Sequence, residues 1–147
     1  MKFRFRLSRV LSVRQIRENQ AKLTLAVRAA ARHEEERRLE VRAASLDAAW
    51  ERLTAEGLYS ARHLTLGAAD LKAAERLYAE QEERVKGAMA AWEEARQQFL
   101  RRRAERQVLS RLKERAREEY MTVSRRAENK ELDQVAAVAY VRRKGNG

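Results

Sequence analysis

The sequence predicts an all-α fold, two long helices in an antiparallel coiled-coil hairpin, and three observations carry that prediction. Proline is absent and only five glycines occur in 147 residues, so the turn residues that a sandwich, barrel or α/β fold requires are missing. Ala, Arg, Glu and Leu, all strong helix formers, are abundant, and 37% of the chain is charged while 6% is aromatic. Third, residues 68 to 130 keep one heptad register without a break.

That register runs Leu71, Ala74, Tyr78, Gln81, Val85, Ala88, Trp92, Ala95, Phe99, Arg102, Arg106, Leu109, Lys113, Ala116, Tyr120, Val123, Ala127, Lys130, and thirteen of these eighteen positions are apolar. Alternating steps of three and four place them on one face, the seam of a coiled coil, and such a helix needs a partner. Arg102, Arg106 and Lys113 interrupt the seam in one stretch, where long aliphatic stems cover it while the charges reach water. The first half carries a rougher track through Val13, Ile16, Gln20, Leu23, Val27 and Ala30. It continues through Glu34 and Arg37 to Val41, Ala44 and Ala48. A parallel track through Leu39, Leu46, Trp50 and Leu53 reads as a stutter.

The boundaries expected are a helix over about residues 6–56, a linker over about 57–67, a helix over about 68–142 and a short flexible tail at 143–147, together one coiled-coil domain. Gly57 suits a helix C′ position, and Thr65 or Asp70 offers an N-cap to the second helix. So short a linker forces the helices antiparallel. At 1.5 Å per residue they would measure about 75 Å and about 110 Å. Residue i should therefore face a residue near 124 minus i, with the N-terminus beside residues 118–123. The segment after about residue 125 is left without a partner, although it carries Leu132, Val135, Ala136, Ala139 and Tyr140.

The net charge of +11 has a location. Residues 1–20 hold six basic groups against one acidic, residues 101–126 hold ten against four, and residues 21–100 balance at thirteen against fourteen. In an antiparallel pair the two basic segments are neighbours at the open end, which predicts an acidic receptor. Nucleic acid fits less well, because Glu105, Glu114, Glu118 and Glu119 interleave the basic residues and only Phe3, Phe5 and Tyr120 could stack on bases.

Other classes are opposed by composition. With no cysteine there is no disulfide framework, zinc ribbon or thiol nucleophile, and His33 and His63 lack neighbours at metal-ligand spacing. No catalytic residues, no metal ligands and no cofactor are expected, since a two-helix pair has no pocket to hold an acid/base pair. No run approaches the roughly 20 apolar residues of a membrane span, so no transmembrane segment is expected. The N-terminal segment MKFRFRLSRVLSV lacks the uninterrupted apolar run of a secretory signal, although its basic, amphipathic character imitates a mitochondrial transit peptide. The expected compartment is the cytoplasm.

The two ends carry a resemblance. F-R-F-R-L-S-R-V-L-S-V-R at residues 3–14 and A-E-N-K-E-L-D-Q-V-A at residues 127–136 look like the termini of the FliJ family, coiled-coil proteins of the flagellar type III export apparatus. The phrase L-K-E-R-A-R-E-E-Y at residues 112–120, the length and the single mid-chain linker also fit. The resemblance implies a non-enzymatic protein that binds the flagellar export ATPase ring much as a central stalk does, and that contacts the export-gate membrane protein and the export chaperones. It implies a peripheral position at the inner face of the cell membrane. The free protein is expected to be monomeric, without nucleic acid. A self-associating structural coiled coil and a basic nucleic-acid-binding helical module are the alternatives.

For the ATPase contact the candidates are Phe3, Arg4, Phe5, Arg6, Arg9, Asn129, Lys130, Glu131, Leu132, Asp133 and Val135. Phe3 and Phe5 also suit a hydrophobic staple against Tyr120 and Val123, and the arginines suit simple solvation. For an export-gate or chaperone contact the candidates are Leu39, Leu46, Trp50 and Tyr78, with Trp50 the hot-spot type if exposed and Trp92 in the seam.

Overall fold

A computed structural model describes residues 2–55, 57 and 59–145. Two helices, α1 (Ser8–Thr54) and α2 (Ala61–Gly145), pack against each other, and no strand occurs among the described residues. Their residues fall into two compact units, Met1–Arg17 with Arg103–Gly147, and Glu18–Arg102.

Pairing descends along α2 as it ascends along α1 in each unit, as an antiparallel arrangement requires. In the first unit the ring of Phe3 lies 5.6 Å from that of Tyr120, and Arg14 Nη1 meets Glu105 Oε2 at 2.5 Å. In the second, Arg32 sits 4.8 Å over the Trp92 ring and Gln81 bonds to Glu35. At the linker end a Cβ built on Gly67 would come 2.9 Å from Leu53 Cδ1. Glycine at 67 lets the backbone of α2 approach Leu53.

The boundaries differ from the sequence expectation most at the linker. Helix α2 starts at Ala61, earlier than expected near 68, because Ser60 caps it: the Ser60 hydroxyl accepts from His63 N–H at 3.2 Å. Thr65 and Asp70, the expected caps, are therefore inside the helix, and so is Gly67. The Thr65 hydroxyl instead donates to the carbonyl of Ala61, at 2.8 Å. Tyr59 stacks on His63, with ring centroids 4.4 Å apart, and its hydroxyl donates to the carbonyl of Ala55. Gly57 has a φ of 158°, far from the left-handed value near +57° of a C′ cap. Helix α1 spans Ser8–Thr54, inside the expected 6–56, and α2 continues to Gly145, so 143–145 is helix and not tail. Glu56, Leu58 and 146–147 lie outside the described residues.

The seam of α2 follows the predicted register. Leu71, Ala74, Tyr78, Val85, Ala88, Trp92, Phe99, Arg102, Arg106, Leu109, Ala116 and Tyr120 are half-buried, and Gln81 and Ala95 are buried. Lys113 is exposed, as are Val123 and the residues beyond Ser124.

The seam of α1 is not the predicted one. Val13, Ile16, Leu23, Val27 and Val41 point to solvent, with Leu23 and Val27 68% and 66% exposed. The inward face carries Leu11, Arg14, Glu18, Ala21, Leu25, Ala29, Arg32, Leu39, Ala43, Leu46, Ala49 and Leu53. The second track noted at Leu39, Leu46 and Leu53 thus extends along the helix, and no stutter is needed. Trp50, placed on that track, is 55% exposed. Glu34 and Arg37, expected in the seam, form an ion pair with each other.

Polar residues in the inward face are satisfied across it. Gln81 Nε2 donates to the Glu35 carbonyl at 3.0 Å and to its carboxylate at 2.5 Å. Glu18 is buried, and no buried side-chain nitrogen or oxygen lacks a partner among the described residues. Along α1 of the second unit Arg32 pairs with Glu36 at 2.8 Å, and Arg38 with Glu34 and Glu35 at 3.1 Å each. Three basic residues, Arg142, Arg143 and Lys144, close the last turn of α2, where they complement the helix dipole.

Candidate functional site

Two stretches of the first unit hold the candidates for the ATPase contact. The residues before α1 lie along α2. Phe3 is half-buried on Tyr120, with rings inclined at 50°. Its staple to Tyr120 is therefore formed. Val123, the other expected partner, is 65% exposed. Phe5 is half-buried and, with Arg4, Arg6 and Leu7, lines an open groove whose far wall is Leu112, Arg115, Ala116 and Glu119 of α2. Arg4, Arg6 and Arg9 are exposed.

This groove combines three guanidinium groups, one carboxylate and an apolar floor. Such a surface suits a segment that presents acidic and apolar side chains together. Leu112, Arg115 and Glu119 were not among the contact candidates read from the sequence, although all three lie in the phrase at residues 112–120. The signal was there in the basic run 101–126, but only the packing shows which of its residues face Phe5.

The other stretch follows Ser124, the last half-buried position of α2. Every residue from Arg125 to Gly145 is exposed, so Asn129, Lys130, Glu131, Leu132, Asp133 and Val135 all face solvent. Leu132 and Val135 are 66% and 67% exposed. Val138, Tyr140 and Val141 extend the apolar surface, and Lys144 Nζ lies 5.4 Å from the centre of the Tyr140 ring. Val138 and Val141 stand beside Ala139 and Tyr140, which the sequence reading named, but were not themselves singled out. Among the described residues nothing covers this apolar surface.

The gate or chaperone candidates, all in the second unit, divide. Leu39, Leu46 and Tyr78 are half-buried in the inward faces, whereas Trp50 is open to solvent. The charge of Glu82, chiefly, pushes the Tyr78 hydroxyl above its ordinary pKa, helped by burial and a hydrogen bond to the same carboxylate. Trp92 is held differently, between Arg32 at 4.8 Å and Arg96 at 5.9 Å from its ring centre. It packs, as a seam residue should.

A family model described as Flagellar FliJ protein matches residues 2–145. The chain belongs to the FliJ family. FliJ membership covers both end phrases and everything between them, and it points to a component of the flagellar export apparatus. No curated relative and no solved structure matches this FliJ family chain. No helix among the described residues is long and apolar enough to cross a membrane.

Proposed function

We propose that this FliJ family chain is a non-enzymatic stalk or adaptor of the flagellar type III export apparatus that binds the export ATPase ring through its first unit. The observation that supports this reading most is the run of exposed residues from Arg125 to Gly145, with Leu132, Val135, Val138 and Val141 uncovered, on the unit that also holds the groove of Arg4, Phe5 and Arg6. A helix that keeps apolar residues in water over six turns stabilises itself poorly, and a partner that covers them gains their burial. Basic groups on the same unit steer an acidic receptor toward it.

In this proposal the protein works in the cytoplasm, peripherally associated at the inner face of the cell membrane. It promotes assembly or activity of the ATPase ring and links it to the export gate and the substrate chaperones. Trp50 is the residue of the second unit best placed for the gate or chaperone contact, being an exposed indole. Leu39, Leu46 and Tyr78 would support that surface from the seam.

The test is the ATP hydrolysis rate of the same organism's flagellar export ATPase, titrated with this protein and with its Leu132→Asp/Val135→Asp and Arg4→Glu/Arg6→Glu/Arg9→Glu variants. Saturable stimulation by the parent chain, lost at equal helicity in the variants, is the expected result. Equal stimulation by the folded variants would remove the site. A concentration-dependent mass that the Leu132→Asp/Val135→Asp variant abolishes would replace the reading with self-association.

A further inference from the structure

Helix α1 of the second unit has two opposed apolar faces, and the helix pair uses one of them. Between Gln20 and Ala31, Ala21, Leu25 and Ala29 turn inward and are half-buried, while Leu23 and Val27 turn outward. The outward residues keep the seam spacing of a coiled coil, Gln20, Leu23, Val27, Ala30, in steps of three and four.

Its surroundings are those of a contact surface. Ala26, Ala30 and Ala31 keep the relief low, which lets a second backbone come close. The Thr24 hydroxyl, which borders the face, is already committed to the Gln20 carbonyl at 3.1 Å. Lys22 flanks one side and Arg28 the other, both exposed, Arg28 also lining a groove shared with Glu94 of α2, and no acidic residue of α1 occurs from Asn19 to Arg32. Charge decides the occupant. A second copy of the chain would bring the same cations against these, whereas a helix with acidic flanks would pair with them.

We propose that the outward face of α1 at Gln20, Leu23, Val27 and Ala30 is the seat of a partner's amphipathic helix whose apolar stripe is flanked by acidic side chains. The contact is separate from the ATPase reading, which rests on the other unit. It is a third-helix addition: Leu23 and Val27 supply the apolar anchors and Lys22 and Arg28 the orientation.

The test uses the full chain and two synthetic helices of about four heptads, identical in their leucine stripe, one with Glu and one with Lys at every flanking position. Fluorescence anisotropy at physiological salt is expected to show the Glu peptide binding at least about tenfold more tightly than the Lys peptide. Leu23→Gln/Val27→Gln, exposed positions whose change leaves helicity intact, should weaken the Glu peptide by about tenfold or more. Lys22→Glu/Arg28→Glu should erase the preference between the peptides. The Leu132→Asp/Val135→Asp variant should bind as the parent does. Equal affinity for the two peptides, or full binding by Leu23→Gln/Val27→Gln, would overturn the proposal. So would a dimer of the chain that the same two glutamines dissolve, since the occupant would then be a second copy.

Discussion

The side-chain amide of Gln81 donates both its hydrogens to Glu35, one to the backbone carbonyl at 3.0 Å and one to the carboxylate at 2.5 Å. Gln81 is 4% exposed and belongs to α2, Glu35 to α1, so one buried amide fixes the helices' register at that level. The Glu35 carboxylate keeps a second partner in Arg38.

Gln81→Glu would replace a double donor with a second carboxylate beside Glu35. We expect a loss of about 1–3 kcal/mol at neutral pH, shown by urea unfolding and partly recovered in acid. Gln81→Leu should cost less than that, because Glu35 remains paired with Arg38 and no donor is left buried. A larger loss for Leu than for Glu would rule out the amide bridge as the cause.

The glycines of α2 separate two effects. Gly87 has open space where a Cβ would go, while at Gly67 a Cβ would press on Leu53 Cδ1. Gly87→Ala should stabilise by about 0.5–1 kcal/mol through helix propensity. Gly67→Ala should gain less or lose, since the Leu53 side chain must shift. Thermal melts of the two variants, side by side, check the order.

Arg14 and Glu105 form a half-exposed pair in the first unit, with side chains 32% and 39% exposed. Water screens such a pair, so a double-mutant cycle with Arg14→Ala and Glu105→Ala should give a coupling of about 0.5 kcal/mol. The coupling should shrink as salt is raised. A coupling that ignores salt would mean the two residues act through packing.

Arg32 serves two neighbours at once, Glu36 by an ion pair and Trp92 by its position over the ring. Its hydrogen bond, above all, holds the Glu36 carboxyl below the ordinary value, with His33 adding a smaller effect. Because the folded value is depressed, the carboxylate contributes stability above the ordinary carboxylate range, and the contribution vanishes as pH falls through the folded value. In Arg32→Ala the Glu36 titration followed by NMR should move upward, and Trp92 fluorescence should change at constant pH. An unmoved titration would reassign the effect to His33.

Sequence alone made α2 legible and α1 not, and the difference is physical. In α2 a single apolar track is available, so periodicity has one answer. In α1 two tracks lie on opposite faces, Val13, Ile16, Leu23 and Val27 against Leu11, Leu25, Leu39 and Leu46, and spacing cannot choose between them. The inward track also contains Arg14, Glu18 and Arg32, which look disqualifying until cross-helix partners such as Glu105 and Trp92 are in view. The early start of α2 escaped for a similar reason. Ser60 is a good cap, but Gly67 reads as a break unless its contact with Leu53 is known. For the candidate site, the basic runs and the uncovered residues Leu132 and Val135 could be read directly. The groove that joins Arg4 and Phe5 to Arg115 could not, because residues a hundred positions apart meet there only after folding.

Among the described residues no large side chain is fully buried, and the only buried hydrophobic residues are Ala49 and Ala95. Stability is therefore spread over many shallow contacts, each worth little alone. For a lineage carrying this chain, an exchange at a half-buried seam position forfeits only part of a side chain's burial, which leaves the sequence room to drift while the architecture persists. What selection can hold fixed is the few places where a specific atom is required, such as the Gln81 amide, together with whatever surface its partners read.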